Sequence, residues 1–244
     1  MLGPAKAAFK EWVERRGWFV RRAAGLPAGT HLRLDLARLG LDRSRVVFDV
    51  GAHRGETVAA FELCFPSAHI FAFEPVRANF EALQACARPS RVTCLHTALG
   101  DRIEDATIVL QEDSQTHSLN QRAEAGRAGS TETVRVTTLD AVCAERGIER
   151  IDFLKIDTEG YELAVLAGGS DLLRKGAIGA VLVEASLDPE DTVHTSLPRL
   201  AEWLAPRGYR LAAIYDQVLW NAPTRLAYFN ALFVGGAPAA SPDA

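Results

Sequence analysis

The sequence predicts an α/β fold with a mostly parallel central sheet that is covered by helices on both faces. From Arg45 onward, short apolar runs alternate with stretches of helical periodicity, as in repeated βα units. The runs 45–50 and 177–184 are apolar almost throughout, which is typical of strands buried on both faces. A parallel sheet explains both patterns, because its crossover helices cover the two faces.

Glycine, proline and polar residues separate these runs and set the expected element boundaries. Pro75 suits a first helical turn, and Thr138 can cap a helix that ends near Gly147. The polar stretch 111–132 is expected to form a loop or a β-excursion. In chain order we expect strands at 45–50, 69–74 and 91–95, helices at 55–64, 76–87 and 139–145, a loop at 98–101, β-rich segments at 107–110 and 134–137, strands at 151–157 and 177–184, an amphipathic stretch at 194–204, and final strands at 209–215 and 226–234.

The length of 244 residues fits one catalytic domain with short extensions. We expect an N-terminal helical extension at 1–40, a domain at 41–235, and a disordered tail at 236–244, which has nothing to bury. Within the first 22 residues, basic and aromatic side chains form an amphipathic pattern. This pattern predicts a helix that docks on the domain, with peripheral contact to a membrane surface as the alternative.

The composition is that of a globular protein, with 48% hydrophobic and 24% charged residues. The formal net charge of −4 argues against a nucleic-acid partner, since such proteins need a basic face. No apolar run is long enough to span a bilayer or to act as a secretion signal, so the predicted location is the cytoplasm. The four cysteines form no CxxC pair and are expected to be free thiols without a zinc site.

The strongest chemical signal is the stretch 49–55, Asp-Val-Gly-Ala-His-Arg-Gly, at a strand-to-helix junction. Gly51 and Gly55 let the backbone turn tightly and approach a ligand without interference from a Cβ atom. Glu74 ends the next strand and is followed by Pro75. An acid in this position can accept hydrogen bonds from both hydroxyls of a ribose, although a surface acid is the simpler alternative. Together these features predict a nucleoside site.

The nucleoside is expected to lack a pyrophosphate, because His53 stands where a dinucleotide fingerprint has a glycine. S-adenosylmethionine contains adenosine and a charged amino acid but no phosphate. Asp49 can serve its ammonium group, directly or through water, whereas the same carboxylate would repel an anion. An NAD-dependent oxidoreductase shares the glycine turn and the ribose acid and remains the alternative.

Five motifs follow one another at suitable spacing and resemble the FkbM family of class I methyltransferases over about residues 46–184. The resemblance implies a Rossmann-like fold, S-adenosylmethionine as cofactor, and methylation of a hydroxyl on a sugar, glycolipid or natural-product acceptor. The motifs are Asp49-Val-Gly-Ala-His-Arg-Gly55, Phe73-Glu-Pro75, Ala98-Leu-Gly-Asp101, Thr138-Leu-Asp140 and Lys155-Ile-Asp-Thr-Glu-Gly-Tyr-Glu162.

Two positions of these motifs leave more than one role open. The family pattern more often has Asn where this chain has His53, so this side chain contacts the cofactor or only shapes the turn. Asp101 approaches the adenine amino group, as acids after the third strand can in this family, or caps a turn.

The chemical end of the site is expected after the fourth main strand, at the edge where ligands bind in open α/β sheets. Asp157 could hold the methionine portion of the cofactor. Glu159 could face the acceptor, or it could cap the following helix. His117 lies in the polar excursion and has the right unperturbed pKa for a general base, although a lone loop histidine is usually solvated.

Glu184 ends the fifth main strand. Its side chain would lie beside Asp157 and Glu159 if the fourth and fifth main strands are neighbours in the sheet. The resulting carboxylate cluster could act as a base or bind Mg²⁺, and we favour the reading without a metal. The segment after Asp157 reads Thr-Glu-Gly-Tyr and not Pro-Pro-aromatic, which favours oxygen over an exocyclic amine as acceptor. A nucleoside-binding scaffold without activity is a further alternative, and the oligomeric state is not encoded legibly.

Overall fold

The computed structural model describes residues 22–110, 130–219 and 225–235, together with Phe9, Trp12, Val13, Arg15 and Arg16. The expectations for most of the basic N-terminal pattern, for the loop that contains His117 and for the tail 236–244 therefore lie outside the described residues. Within them, no helix has the length and apolar character needed to cross a membrane.

Most predicted elements are present, and their boundaries differ by only a few residues. The helices of four residues or more are α1 (Leu32–Arg38), α2 (Glu56–Cys64), α3 (Arg77–Cys86), α4 (Leu139–Arg146), α5 (Glu162–Ala167), α6 (Ser170–Arg174) and α7 (Leu197–Leu204), and short 3₁₀ turns lie at Ala23–Gly25, Leu41–Arg43 and Ala205–Arg207. The strands are β1 (Val46–Val50), β2 (His69–Phe73), β3 (Val92–Leu95), β4 (Ala98–Leu99), β5 (Glu104–Val109), β6 (Thr131–Thr137), β7 (Ile151–Ile156), β8 (Ile178–Ala185), β9 (Arg210–Leu219) and β10 (Leu226–Val234).

The central sheet has seven strands in the order β3-β2-β1-β7-β8-β10-β9. The first five are parallel, and β10 runs antiparallel to both of its neighbours. All eight residues of β8 are buried, as expected for a strand covered on both faces. The predicted α/β class with a mostly parallel sheet is confirmed, and the carboxyl ends of β1, β2, β7 and β8 meet at one edge.

A second, three-stranded sheet in the order β4-β6-β5 lies between β3 and α4 in the chain. It corrects the expectation of a loop at 98–101, because Ala98 and Leu99 pair in parallel with Val136 and Thr137. Two residues are too few to produce a periodic signal, so the strand arises from its long-range partner. On this sheet Ile108 and Val134 pack against Val76.

Local signals correctly predicted α4, but the start of α7 differs from the prediction. Thr138 Oγ1 accepts a hydrogen bond from the Ala141 amide at 3.1 Å, and Gly147 follows α4 with φ 66°. The amphipathic stretch was expected to start at His194, whereas α7 starts at Leu197. The Asp191 carboxylate accepts the backbone N–H groups of Val193 and His194, at 2.8 and 3.0 Å, and so holds this segment in a turn.

Helix α1 packs on the same core as the sheet. Leu36 is fully buried in one apolar cluster with Val47 and Phe61. The Asp35 carboxylate accepts hydrogen bonds from the Tyr215 hydroxyl at 3.0 Å and from the Gly29 amide at 2.8 Å. These contacts join α1 to the central sheet and to its edge strand β9. The division of the chain at residue 40 stays a prediction.

Candidate active site

A cavity of about 550 Å³ opens at the carboxyl edge of the parallel strands. Its position agrees with the general rule that ligands of open α/β sheets bind outside this edge. Its wall includes apolar side chains of the small sheet and polar side chains that follow β1, β2, β7 and β8. The residues singled out from the sequence that line it are Gly51, His53, Glu74, Pro75, Asp157, Glu159 and Glu184.

The glycine turn after β1 brings the chain close to the end of β7. Gly51 has φ 79°, and a Cβ atom at this position would lie 1.8 Å from the carbonyl oxygen of Asp157. Gly55 also has a positive φ, but it packs against Cys86 and Leu83 and not along the cavity. His53 lines the cavity with φ 47°, a conformation that a side chain adopts at some cost. The turn therefore depends on Gly51 for close approach and on Gly55 for helix packing.

Glu74 is buried at the end of β2 and faces the cavity. Its two carboxylate oxygens accept hydrogen bonds from the backbone amides of His53 at 3.0 Å and Val76 at 2.9 Å. Burial raises the pKa of Glu74 to about 7, although these hydrogen bonds oppose the shift. The Asn79 side chain is a third hydrogen-bond partner of this carboxylate, so one of its four lone-pair sites remains for a ligand hydroxyl at the position predicted for the ribose.

Lys155 lies between two acids at the cavity floor. Its Nζ is 3.3 Å from Asp49 Oδ1 and 3.1 Å from Asp157 Oδ2. Burial alone would lower the pKa of Lys155, but the charges of Asp157 and Asp49 raise it overall. Asp49 is fully buried, and burial raises the pKa of its carboxyl despite the ion pair with Lys155. A direct contact of Asp49 with a cofactor ammonium group does not fit this position, because the cavity wall contains Lys155 and not Asp49.

Asp101 lies beside the cavity and not in its wall. Its carboxylate is 3.7 Å from the guanidinium of Arg102, and its charge acts with burial to raise the pKa of Tyr161, which does line the cavity. The contact of Asp101 with adenine stays a prediction.

Glu159, Glu184 and His194 meet at the end of the cavity near β7 and β8. These two strands are neighbours, which fulfils the condition set for a carboxylate cluster. Nε2 of His194 lies 3.4 Å from Glu184 Oε2 and 3.9 Å from Glu159 Oε2. Burial, followed by the charges of Asp157 and Glu159, raises the pKa of Glu184 to about 10.

The His194 ring is held in place on two sides. Its Nδ1 lies 2.8 Å from Asp191 Oδ2, and its face stacks on Tyr228 with ring centroids 4.6 Å apart. Burial would raise the pKa of Asp191, but its hydrogen bonds from the His194 backbone and ring and the Val193 amide lower it overall. An ionised Asp191 orients the ring so that Nε2 faces the two glutamates.

The loop that carries Glu159 is fixed by Glu162. Oε1 of this buried carboxylate accepts hydrogen bonds from the Thr158 amide and hydroxyl, both at 3.1 Å, and from the Gly160 amide at 3.0 Å. Glu159 itself has φ 52° and lines the cavity. The alternative that Glu159 caps α5 does not agree with this geometry, because the N-cap residue is Tyr161 and has no side-chain cap bond.

Sequence reasoning missed three residues of this site: Lys155, Glu162 and His194. A lysine inside an apolar run, between acids at the ends of two strands, is a signal that could have identified Lys155. Glu162 was assigned only to the following helix. His194 has no comparable local signal, because its neighbours in the cavity are distant in the sequence.

Comparison with known proteins shows that this chain is similar to methyltransferases. The model of the "Methyltransferase FkbM domain" family matches residues 49–211. The chain is 34% identical over 158 residues to the 31-O-demethyl-FK506 methyltransferase FkbM of Streptomyces tacrolimicus, covering 52% of this chain and 60% of that protein. It is 26% identical over 162 residues to the hexuronic acid methyltransferase AglP of Haloferax volcanii, covering 64% of each.

One further relative and one solved structure also match this chain. The 2-O-methyltransferase NoeI of Sinorhizobium fredii is 27% identical over 144 residues, which cover 53% of this chain and 59% of NoeI. The crystal structure of the methyltransferase FkbM from Methylobacillus flagellatus superposes with a TM-score of 0.50 and 18% identity, covering 79% of this chain and 44% of that one. This likeness supports the Rossmann-like fold. The chain spans about three fifths of the length of the curated relatives it matches.

Proposed function

Because this chain belongs to the family of FkbM methyltransferases, we propose that it transfers the methyl group of S-adenosylmethionine to a hydroxyl oxygen of a sugar-containing or natural-product acceptor. The observation that carries the proposal is that the cavity wall is rich in acidic residues and poor in cationic ones. Among the described residues that line it, Lys155 is the only lysine or arginine, and two acids share it. The acids in the wall are Glu56, Glu74, Asp157, Glu159 and Glu184.

This acidic wall fits a cofactor that carries a sulfonium and an ammonium group. It does not suit a pyrophosphate, which needs backbone amides or cations at the glycine turn. Glu74 is placed to accept a ribose hydroxyl, and the apolar side chains of Val76, Leu99 and Ile108 offer a surface for the adenine ring. The residues present therefore fit S-adenosylmethionine better than NAD.

When bound, S-adenosylmethionine supplies an electrophilic methyl group on sulfur. The S–CH₃ bond breaks with its electron pair going to sulfur, the O–CH₃ bond forms, and the hydroxyl proton must leave. The chain contributes binding and alignment through Glu74, with Asp157 at the methionine end. The acceptor hydroxyl would bind at the acidic end formed by Glu159, Glu184 and His194. Glu159 or His194 would take its proton, because Glu184, with a pKa of about 10, is already protonated at neutral pH.

An oxygen acceptor is supported by the names of the relatives. The FkbM relative is named for a 31-O position and the NoeI relative for a 2-O position, while AglP is named for a hexuronic acid. The carboxylates of the cavity suit an acceptor rich in hydroxyl groups, because each carboxylate oxygen can accept hydrogen bonds from the hydroxyls.

Calorimetric titration with S-adenosylmethionine and with NAD⁺ tests the cofactor assignment. We expect the protein to bind S-adenosylmethionine and not NAD⁺. We expect Glu74→Gln to lose this binding, because hydrogen bonds to a charged group contribute about 1.5–3 kcal/mol each. Glu81→Gln is the matched control, since Glu81 is an exposed acid on α3. Binding of NAD⁺ in preference to S-adenosylmethionine would defeat the proposal.

The transfer itself is tested with S-adenosylmethionine carrying a labelled methyl group. We expect label in the glycan, lipid or secondary-metabolite fraction of an extract, in a linkage stable to base as an ether is. Label that appears only in amines or in protein contradicts oxygen as the acceptor atom.

A further inference from the structure

Three side chains with metal-binding atoms converge where the acceptor is proposed to bind. The nearest such atoms of Glu159, Glu184 and His194 all lie within 4.8 Å of one another. They come from the loop after β7, from β8 and from the segment before α7, so the tertiary fold alone brings them together. Glu184 is buried, and His194 and Glu159 are mostly buried, with side chains 11% and 16% exposed.

Glu184 supplies an independent observation. It is 8% exposed, and its Oε2 atom is buried and has no hydrogen-bond partner among the described residues. Buried polar atoms in folded proteins nearly always have a partner. The nearest polar group of His194 is Nε2, at 3.4 Å from this oxygen.

Asp191 orients the His194 ring toward the two glutamates. Asp191 accepts two backbone N–H groups, so it acts as a carboxylate, and Nδ1 of His194 must be the donor in the 2.8 Å contact between them. Nε2 of His194 is therefore turned toward the glutamate oxygens. Oxygen and nitrogen lone pairs that point at one position are the arrangement that a metal ion stabilises, and the Asp–His contact orients the ligand as in carboxylate–histidine–metal sites.

The distances agree with a common centre. Atoms bound at about 2.1 Å from one ion lie about 3.0 Å apart at right angles and about 3.4 Å apart at tetrahedral angles. The observed distances from Nε2 of His194 to the two glutamates, 3.4 and 3.9 Å, are close to these values, and the glutamate ligand atoms lie within 4.8 Å of each other.

We infer that Glu159, Glu184 and His194 bind one divalent transition-metal ion, with Asp191 as the positioning residue of the histidine. Two carboxylates and an imidazole suit Mn²⁺ or Zn²⁺, whereas Mg²⁺ prefers oxygen ligands alone. Three protein ligands leave coordination positions open toward the cavity. A role of the ion in holding an acceptor hydroxyl and lowering its pKa rests on the proposed function, while binding of the ion does not.

Titration of the EDTA-treated protein with MnCl₂, followed by the electron paramagnetic resonance signal of free Mn²⁺, tests the site. We expect saturable binding of a single ion per chain. Binding should weaken by roughly 10- to 100-fold or more in Glu184→Gln and His194→Gln, and by about 10-fold in Asp191→Asn, where only ring orientation is lost. Glu190→Gln is the matched control, because Glu190 lies in the same segment, is exposed, and contacts Arg225 at 3.6 Å.

Far-UV circular dichroism shows whether each variant is folded, and Glu159→Gln replaces any variant that is not. Absence of saturable Mn²⁺ binding at millimolar concentration, or unchanged affinity in Glu184→Gln and His194→Gln, overturns the inference. Titration of the same metal-free samples with S-adenosylmethionine separates the two proposals. Cofactor binding without Mn²⁺ binding rejects only the metal site, and Mn²⁺ binding without cofactor binding rejects only the proposed function.

Discussion

The hydroxyl of Thr195 donates a buried hydrogen bond to Oε2 of Glu162, 33 residues away in the chain. The other oxygen of the same carboxylate holds the loop of Thr158 and Gly160. One carboxylate therefore joins the segment that carries Glu159 to the segment that carries His194. This link fixes both sides of the acidic end before any ligand binds.

Replacing Glu162 should loosen both segments. We expect Glu162→Gln to lower the free energy of unfolding by about 2–4 kcal/mol. The NH₂ group of glutamine would face buried N–H and O–H groups that now donate to the carboxylate, and it cannot accept their hydrogen bonds. Urea denaturation measures the change, and Glu145→Gln on the exposed face of α4 is the matched control. Equal stability of the two variants would show that the Glu162 contacts contribute little.

Lys155 should be essential for stability, since it neutralises Asp49. Lys155→Met leaves the fully buried Asp49 without its cation, and loss of one partner of a buried pair costs about 3–5 kcal/mol. Thermal or urea unfolding should detect this loss, while Lys175→Met, at an exposed lysine, should resemble the wild type. Recovery of stability in the double variant Lys155→Met with Asp49→Asn would confirm that the uncompensated charge is the cause.

The raised pKa of Glu74 predicts that the stability of the fold depends on pH. Its folded-state pKa of about 7 lies above the ordinary value of 4.5, so the folded state takes up a proton between these values. Wild-type stability should therefore fall relative to Glu74→Gln as pH rises from about 4.5 to 7, by about 3 kcal/mol in total. Urea denaturation of both proteins at several pH values measures the difference, and parallel curves would contradict the shift.

The same carboxyl should control cofactor binding. The ionised form accepts a ribose hydroxyl better, so affinity for S-adenosylmethionine should rise with pH through about 7 and then level off. Calorimetry across this range is the measurement. An affinity that falls with pH in this window would remove Glu74 from the ribose site.

Gly51 should not tolerate even a methyl group. A Cβ atom would overlap the Asp157 carbonyl at 1.8 Å in addition to the strain of φ 79°, so Gly51→Ala should lose cofactor binding and stability. Gly147→Ala is the matched control, with φ 66° and no atom within 4 Å of the new Cβ, and should cost only about 1 kcal/mol. Similar losses in both variants would assign the effect to backbone strain alone.

Elements with strong local signals could be predicted from the sequence. The buried run of β8, the Thr138 cap and the glycine turn each depend on residues within a few positions of one another. The acids Glu74 and Glu184 could be placed at one edge, because parallel strands all end on the same side of a sheet.

Local periodicity and turn residues were enough to predict the α/β class, most strands and helices in their chain order, and the sheet edge at which the cavity lies. Only the tertiary structure decided which side chains are neighbours. The register of β1 against β7 places Asp49 directly opposite Lys155, so the two side chains form a buried ion pair. The Asp191 turn likewise removes His194 from a helix and turns it toward Glu184. These pairings depend on strand order and long-range packing, which no short window of sequence contains.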